Sequence, residues 1–413
     1  MSSSERRQLP RRILLADADA FFVAVARLVD PEGAGRARLL IVGGAPGSRG
    51  VVCSASYEAR RFGVRSAMPI SRALRLCPGA MCVPVPGAAC SKKSREIRAV
   101  LERFAPVVEC ASVDEWYLDL TGTERVYAGR SLDEVALSVR TAVQIETGLS
   151  ISLGGGTSRL VAKLAVELAK SKPERPTNGV FIVPEGGERE FMERFDLADL
   201  PGVGPKFRAR LDRLGLRTVL DVLPHDIATL TRVVGEREAE WLWARVRGID
   251  HTSVSRREVA SRMSHEETFS RDIMSDDELH RELLRLVTRL ASDLREQDLA
   301  ARTITVRLRD ADFRTRQASR TLPQPVIADR VILETARSLL ARLRRERRVS
   351  ARLLGVALSS LQAPVQSAQL SLFETPGPSL ETARDRALVD AVDRLRAKFG
   401  DAAIVPGRLT RRT

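Results

Sequence analysis

The 413-residue chain has four histidines, five cysteines, three tryptophans and three tyrosines, and aromatic residues make up 4% of it. The histidines (His225, His251, His265 and His280) all lie downstream of the cysteines (Cys53, Cys77, Cys82, Cys90 and Cys110), and no CxxC pair occurs, so a zinc site is not expected. An odd number of cysteines without a secretory signal reads as reduced thiols in a cytosol. The opening residues carry arginines and serines in place of the apolar core of a signal peptide. No stretch approaches the roughly 18 uninterrupted apolar residues that a membrane span requires. These absences predict a cytoplasmic protein without a membrane segment. Acidic excess is missing as well: 67 Lys and Arg outnumber 53 Asp and Glu, for a net charge of +14. A pI near 10.3 points to a polyanionic partner, of which nucleic acid is the commonest.

The chain is 44% hydrophobic, enough to bury sizeable cores, and its length allows two to four domains. Ile13 to Ala16 reads as a short buried strand, with a helix from Asp19 onward. Leu39 to Val42 is a strand, and helices are expected at Ser56 to Phe62 and Ser71 to Leu76. Residues 92–104 put Ile97, Val100, Leu101 and Phe104 on one helical face. Strands at Val107 to Val113 and Trp116 to Leu120, a helix over 131–146, a strand at 150–153, a turn at Gly154-Gly155-Gly156, a helix from Ser158 to Lys170 and a strand at Val180 to Val183 follow. Apart from residues 30–85 this is the strand–helix–strand–strand–helix–strand order of a ferredoxin-like unit. Short helices fill 190–248, and 249–262 is a polar linker. A second α+β unit has helices at 276–297 and 326–345 and strands at 302–309 and 352–359. Residues 361–382, rich in Pro, Ser, Gln and Thr, read as flexible. An amphipathic helix closes the chain over 383–399.

Two groups of acids carry the chemistry. Asp17 and Asp19 end the apolar run Ile13-Leu14-Leu15-Ala16, and a spacing of two puts them on one side of a strand. Asp19 is assigned to capping the following helix. Asp17 has no such role, and a carboxylate at the end of a buried strand is costly without a cation. Asp114 and Glu115 lie at the junction of two strands; a tight hairpin can turn both inward, although a solvated turn also favours Asp. Three carboxylates on neighbouring strands suit two hard divalent cations about 3.5–4 Å apart, the arrangement used for nucleotidyl transfer. The glycines at 154–156 lack the Lys-Ser/Thr of a phosphate-binding P-loop.

With these acids stand Tyr57-Glu58-Ala59-Arg60-Arg61-Phe62-Gly63-Val64-Arg65-Ser66-Ala67-Met68-Pro69, Ala162-Lys163-Leu164-Ala165 with Lys170, and Leu200-Pro201-Gly202-Val203-Gly204. In this order and spacing, over residues 11–360, the chain resembles the Y-family translesion DNA polymerases of the bacterial polymerase IV branch. The resemblance implies an α+β multidomain right-hand polymerase. Its ferredoxin-like palm would occupy 11–29 and 86–187, small fingers 30–85, a helical thumb 188–250, a linker 251–262, an α+β little finger 263–361 and a flexible tail 362–413.

The resemblance also implies the activity and its site. The chain would be a low-fidelity, lesion-bypassing DNA-directed DNA polymerase that adds deoxynucleotides to a primer 3′-hydroxyl. Asp17, Asp114 and Glu115 would be catalytic and hold two Mg²⁺ ions, with Mn²⁺ able to substitute. Phe22 would be the steric gate against the ribose 2′-hydroxyl. Ser54, Tyr57, Arg60 and Lys170 would bind the triphosphate, with Lys172 the alternative to Lys170. Gly202, Gly204 and Lys206 read as the hairpin of a helix–hairpin–helix whose backbone N–H groups approach a phosphate of DNA. Residues 261–362 hold 20 Arg and no Lys against 15 acids, and would lie on duplex DNA. Gln369, Leu370, Leu372 and Phe373 resemble a sliding-clamp motif. A monomer binding primer–template, dNTP and clamp is expected. Trp116 departs from the family's small residue at that position and is expected to alter the floor beneath the primer terminus; Cys90 departs from an aromatic, and 171–177 carries extra residues. The competing readings are a non-catalytic accessory DNA- and clamp-binding protein, a helix–hairpin–helix repair nuclease, and a proofreading polymerase. The first should lack the three acids, the second does not account for Tyr57, Arg60 and Phe22, and the third has no room for an exonuclease unit.

Overall fold

The computed structural model describes residues 11–171, 175–255, 260–364, 380–400, 403–407 and 409. The chain divides into two compact units, one up to residue 257 and one from 258.

The first unit is built on eight strands: β1 (Ile13–Ala18), β2 (Leu40–Gly43), β3 (Val52–Ala55), β4 (Met81–Val83), β5 (Val107–Cys110), β6 (Glu115–Asp119), β7 (Ile151–Gly156) and β8 (Val180–Ile182). Five of them form one sheet in the order β5-β6-β1-β7-β8, and β3-β2-β4 form a second, smaller one. The central strand β1 is antiparallel to both β6 and β7 and buried along its length. Its alternate side chains serve two faces. Leu14, Ala16 and Ala18 join a core with the helices Gly87–Leu101 and Leu132–Thr147, whereas Ile13 and Leu15 pack with Tyr117 and with Ala162 and Val166 of the helix Arg159–Ala169. Asp17, in phase with Ile13 and Leu15, therefore leaves the sheet on the side of the helix Arg159–Ala169.

Four expectations are corrected. Glycines 154–156 do not make a turn: they lie within β7, buried. A Cβ at Gly154 would come within 2.4 Å of the Ala162 carbonyl and 2.1 Å of the Val166 nitrogen, so the residue is there to let the helix Arg159–Ala169 press onto the strand. Asp19 caps nothing: the helix Phe21–Val29 begins behind Ala20, which sits in the left-handed region at φ 45°. Trp116 follows Glu115 on β6 and so points to the opposite face, fully buried in the core around Leu118 and Val139 and away from the acids. The strand expected to reach Val113 stops at Cys110, leaving 111–114 as the hairpin and Val113 exposed. The linker, too, is partly built in. Arg11 donates to the carbonyls of Asp250 and Thr252, the Ser255 N–H donates to Glu109 at 3.0 Å, and Val254 is buried.

The second unit has four strands, β9 (Arg262–Ile273), β10 (Ala300–Asp310), β11 (Thr315–Val326) and β12 (Ala351–Gln362), in the order β11-β10-β12-β9. The helices Asp276–Glu296 and Asp329–Glu346 cover one face with a Leu- and Val-rich core. The strands β9 and β11 were not expected from the sequence. Both are edge strands, where a polar run and even two prolines, Pro323 and Pro325, are tolerated because one side of the ladder needs no partner. The last helix, Ala383–Phe399, is anchored to this unit: Asp385 pairs with Arg330 at 2.8 Å, Asp393 with Arg295 at 2.6 Å, and buried Glu381 accepts the N–H groups of Ile327 and Ala328.

Candidate active site

Asp17 and Glu115 are register partners across β1 and β6, so their carboxylates share a face of the sheet. Each meets an ammonium group from one helix and its end: Lys163 donates to Glu115, and Lys170 lies 2.9 Å from Asp17 and 2.7 Å from Glu167. The seven-residue spacing of the two lysines places both over the acids. Burial raises the Asp17 carboxyl to about 7, with Glu115 and Glu167 adding to the rise and Lys170 opposing it. For Lys170, burial works against the charged form, but Asp17 and Glu167 outweigh it and hold the ammonium above the usual lysine range. Lys163 stood in a sequence motif with Lys170 but was given no role, and Arg140 escaped the sequence reading; a lone base on a helix carries no signal until its partner across the fold is known. Arg140 stands 3.7 Å from Asp19, whose oxygens accept the hydroxyls of Ser150 and Ser152 at 2.7 and 2.8 Å.

Asp114 is only half brought in. Its carbonyl accepts the Ala18 N–H at 2.9 Å, which ties the hairpin to the end of β1, but its carboxylate is held by the Ser112 hydroxyl. Among the described residues no three His, Cys, Asp or Glu side chains converge closely enough to hold a metal as they stand. The donor set nonetheless fits hard divalent cations. It is all oxygen, two of its acids converge in a half-buried setting, and two ammonium groups occupy the positive role beside them.

The helix Tyr57–Arg61 is capped by Ser56, and Tyr57 and Arg60 share a face, with the guanidinium 5.4 Å from the ring centroid. Burial, and then the charge of Asp19, raises the Tyr57 hydroxyl; Arg60, Lys170 and Asp17 also act on it, so this helix faces the acids. Ser54 lies on β3, buried, and not on the helix. Phe21 is core, while half-buried Phe22 packs between the main sheet's core and the β2 and β4 region.

In the helical part, Gly202 adopts φ 103°, and a Cβ there would sit 2.6 Å from Trp241. Gly204 precedes the helix Pro205–Arg213, and Lys206 on its first turn is exposed. In the second unit several arginines of the expected basic surface are structural: Arg316 and Arg347 bind buried Asp310, and Arg344 binds Asp276. The residues Gln369, Leu370, Leu372 and Phe373 lie outside the described residues, as does Lys172.

The five-stranded sheet thus carries an acid pair that a Tyr–Arg helix faces, with a helical segment in the same unit, and the second unit is of α+β structure. The sequence profile of the impB/mucB/samB family matches residues 16–167, its C-terminal domain matches 260–372, and a thumb domain described for DNA polymerase iota matches 198–250. The chain belongs to this family, the Y-family DNA polymerases of the bacterial polymerase IV type. It is 36% identical to DNA polymerase IV of Desulfatibacillum aliphaticivorans over 397 residues, 96% of each chain. It is 39% identical to DNA polymerase IV of Halorhodospira halophila over 352 residues, 85% of this chain and 96% of the other. In fold it is similar to a solved Y-family DNA polymerase chimera of Dbh and Dpo4, at a TM-score of 0.75 and 23% identity over 86% of this chain and all of that one. The chain is a DNA-directed DNA polymerase of the translesion class, and the non-catalytic accessory reading is not favoured.

Proposed function

We propose that Asp17, Asp114 and Glu115 are the catalytic acids and that together they hold two Mg²⁺ ions, with Mn²⁺ able to substitute. The observation that carries this reading is the pairing of Asp17 and Glu115 across β1 and β6, each faced by a lysine. Bound there, divalent cations supply the positive charge that activates the primer 3′-oxygen and stabilises the leaving pyrophosphate. Tyr57 and Arg60 give a hydroxyl and a planar fork to the triphosphate, with Ser54 and Lys170 completing the clamp. Phe22 underlies the sugar as the steric gate. Gly202, Gly204 and Lys206 grip a DNA phosphate from the thumb.

The palm occupies 11–29 and 86–187, the fingers 30–85, the thumb 188–250 and the little finger 263–361. The chain works as a cytoplasmic monomer and docks on a sliding clamp through Gln369, Leu370, Leu372 and Phe373. No described helix is long and apolar enough to cross a membrane.

The test is primer extension by Asp114→Ala with Mg²⁺, on undamaged and lesion-bearing templates. Synthesis is expected to vanish while primer–template affinity stays within about twofold of the parent, since the acid contributes to the chemical step and not to duplex binding. Retained synthesis would overturn the metal assignment.

A further inference from the structure

The hairpin joining β10 to β11 carries an aromatic ring that the polymerase site does not use. Phe313 is 62% exposed and sits at φ 66°, a left-handed conformation that costs a bulky side chain strain. The tip is locked rather than loose. The Phe313 N–H donates to the Asp310 carbonyl at 2.9 Å and the Asp310 N–H to the Arg314 carbonyl at 2.9 Å. Beneath it, fully buried Asp310 takes Arg316 and Arg347, and Arg347 also reaches Asp312 at 2.7 Å. A strained residue fixed this firmly is held to present its side chain.

What surrounds the ring decides the partner. Arg352 stands over one ring face with its guanidinium 4.5 Å from the centroid, and the exposed remainder is free to stack. Unlike Arg316 and Arg347, Arg352 and exposed Arg314 meet no carboxylate among the described residues. The open sheet face behind the tip is polar, with Arg309 donating to Thr315, Arg307 paired with Glu266, and Thr305 and Thr303 against Ser319 and Thr321, so Phe313 is not the rim of an apolar protein-docking patch. A lone aromatic flanked by unpaired arginines is the chemistry that takes a nucleobase on the ring and its phosphates on the guanidinium groups.

We propose that Phe313, with Arg314 and Arg352, stacks on an unpaired base of the template strand. The contact is independent of the metal-site assignment.

The full-length protein should be titrated by fluorescence anisotropy with a primer–template bearing a 5′ template overhang and with a blunt duplex, and 2-aminopurine in the overhang should report stacking. Phe313→Ala is expected to weaken overhang binding roughly 5- to 150-fold, the range for losing one stacked base, and to abolish the stacking signal. Blunt-duplex affinity should stay within about twofold, because its bases are already stacked. Phe313→Trp should restore both readouts. Phe313→Gly should hold or raise Tm, since glycine accepts the left-handed backbone, yet bind the overhang as poorly as the alanine variant. Equal losses on both DNAs would overturn the proposal in favour of a duplex contact or a folding defect. No loss on either would leave the ring to a protein partner and overturn it as well.

Discussion

Lys163 and Lys170, seven residues apart, neutralise Glu115 and Asp17 respectively, two acids that are themselves directly opposed on antiparallel strands. The candidate metal site is thus pre-neutralised by its own chain. Carboxylates this close repel one another and lose hydration, and the rise of the Asp17 carboxyl to about 7 records that burial first and the neighbouring acids second.

This arrangement makes Lys163 a competitor for the cation proposed at Glu115. Lys163→Met keeps the aliphatic stem and removes the ammonium. Mn²⁺ affinity, followed by electron paramagnetic resonance, is expected to tighten roughly 3- to 10-fold, equivalent to about 1 kcal/mol for a partly exposed ion pair. Weaker Mn²⁺ binding would show instead that Lys163 orients Glu115 for the metal.

The second prediction concerns sugar selection. Phe22 is half-buried beside fully packed Phe21, so truncation opens space without emptying the core. Phe22→Ala is expected to lower discrimination against ribonucleotides by about 100-fold or more, as the loss of a steric clash should. Single-nucleotide insertion kinetics with dNTP and rNTP measure it, and unchanged selectivity would leave Phe22 a packing residue.

Gly202 is constrained twice, by φ 103° and by Trp241 at 2.6 Å from a would-be Cβ. Gly202→Ala should cost about 1–3 kcal/mol of local stability and weaken DNA binding by a similar factor on every sequence. Because the proposed contact is to a phosphate, the slope of affinity against salt should fall while sequence preference stays flat.

Deleting residues 369–373 tests the clamp assignment. Stimulation of synthesis by a bacterial sliding clamp should disappear, while distributive primer extension without the clamp remains at the parental rate. Continued stimulation would place the contact elsewhere on the chain.

The closing helix gives a pH prediction. The Arg330 guanidinium, together with the Thr382 N–H, holds the Asp385 carboxyl well below the usual aspartate range. A depressed folded-state value means that stability is present above the unfolded value near 4 and lost as pH falls below it. Hydrogen-exchange protection of residues 383–399 should therefore decline as pH drops below about 4. Asp385→Asn should reproduce that loss at pH 7 while the helix Asp276–Glu296 stays protected. Unchanged protection would mean that Glu381 and Asp393 suffice to hold the helix.

Apart from the short strand β4, the strand order around the acids, the acids Asp17, Asp114 and Glu115 themselves, and the Tyr57/Arg60 face were legible in the sequence because periodicity and short motifs are local properties. The last helix was also legible, and the structure places it at Ala383–Phe399 with a capping box at Thr382 and Asp385. The edge strands β9 and β11 were not, since an edge needs neither continuous hydrophobicity nor freedom from proline.

The sequence by itself determined the family: acids in a set order, a Tyr–Arg helix face and a glycine hairpin survive as patterns wherever the chain is folded. The tertiary structure decided which side chains meet. Strand alternation sent Trp116 into the core and left Glu115 beside Asp17. The close packing of the helix Arg159–Ala169 on Gly154 brought Lys163 and Lys170 over both acids, and Ser150 with Ser152 claimed Asp19 across β7. Each of these depends on register and on contacts between segments distant in the chain, which composition and spacing do not encode.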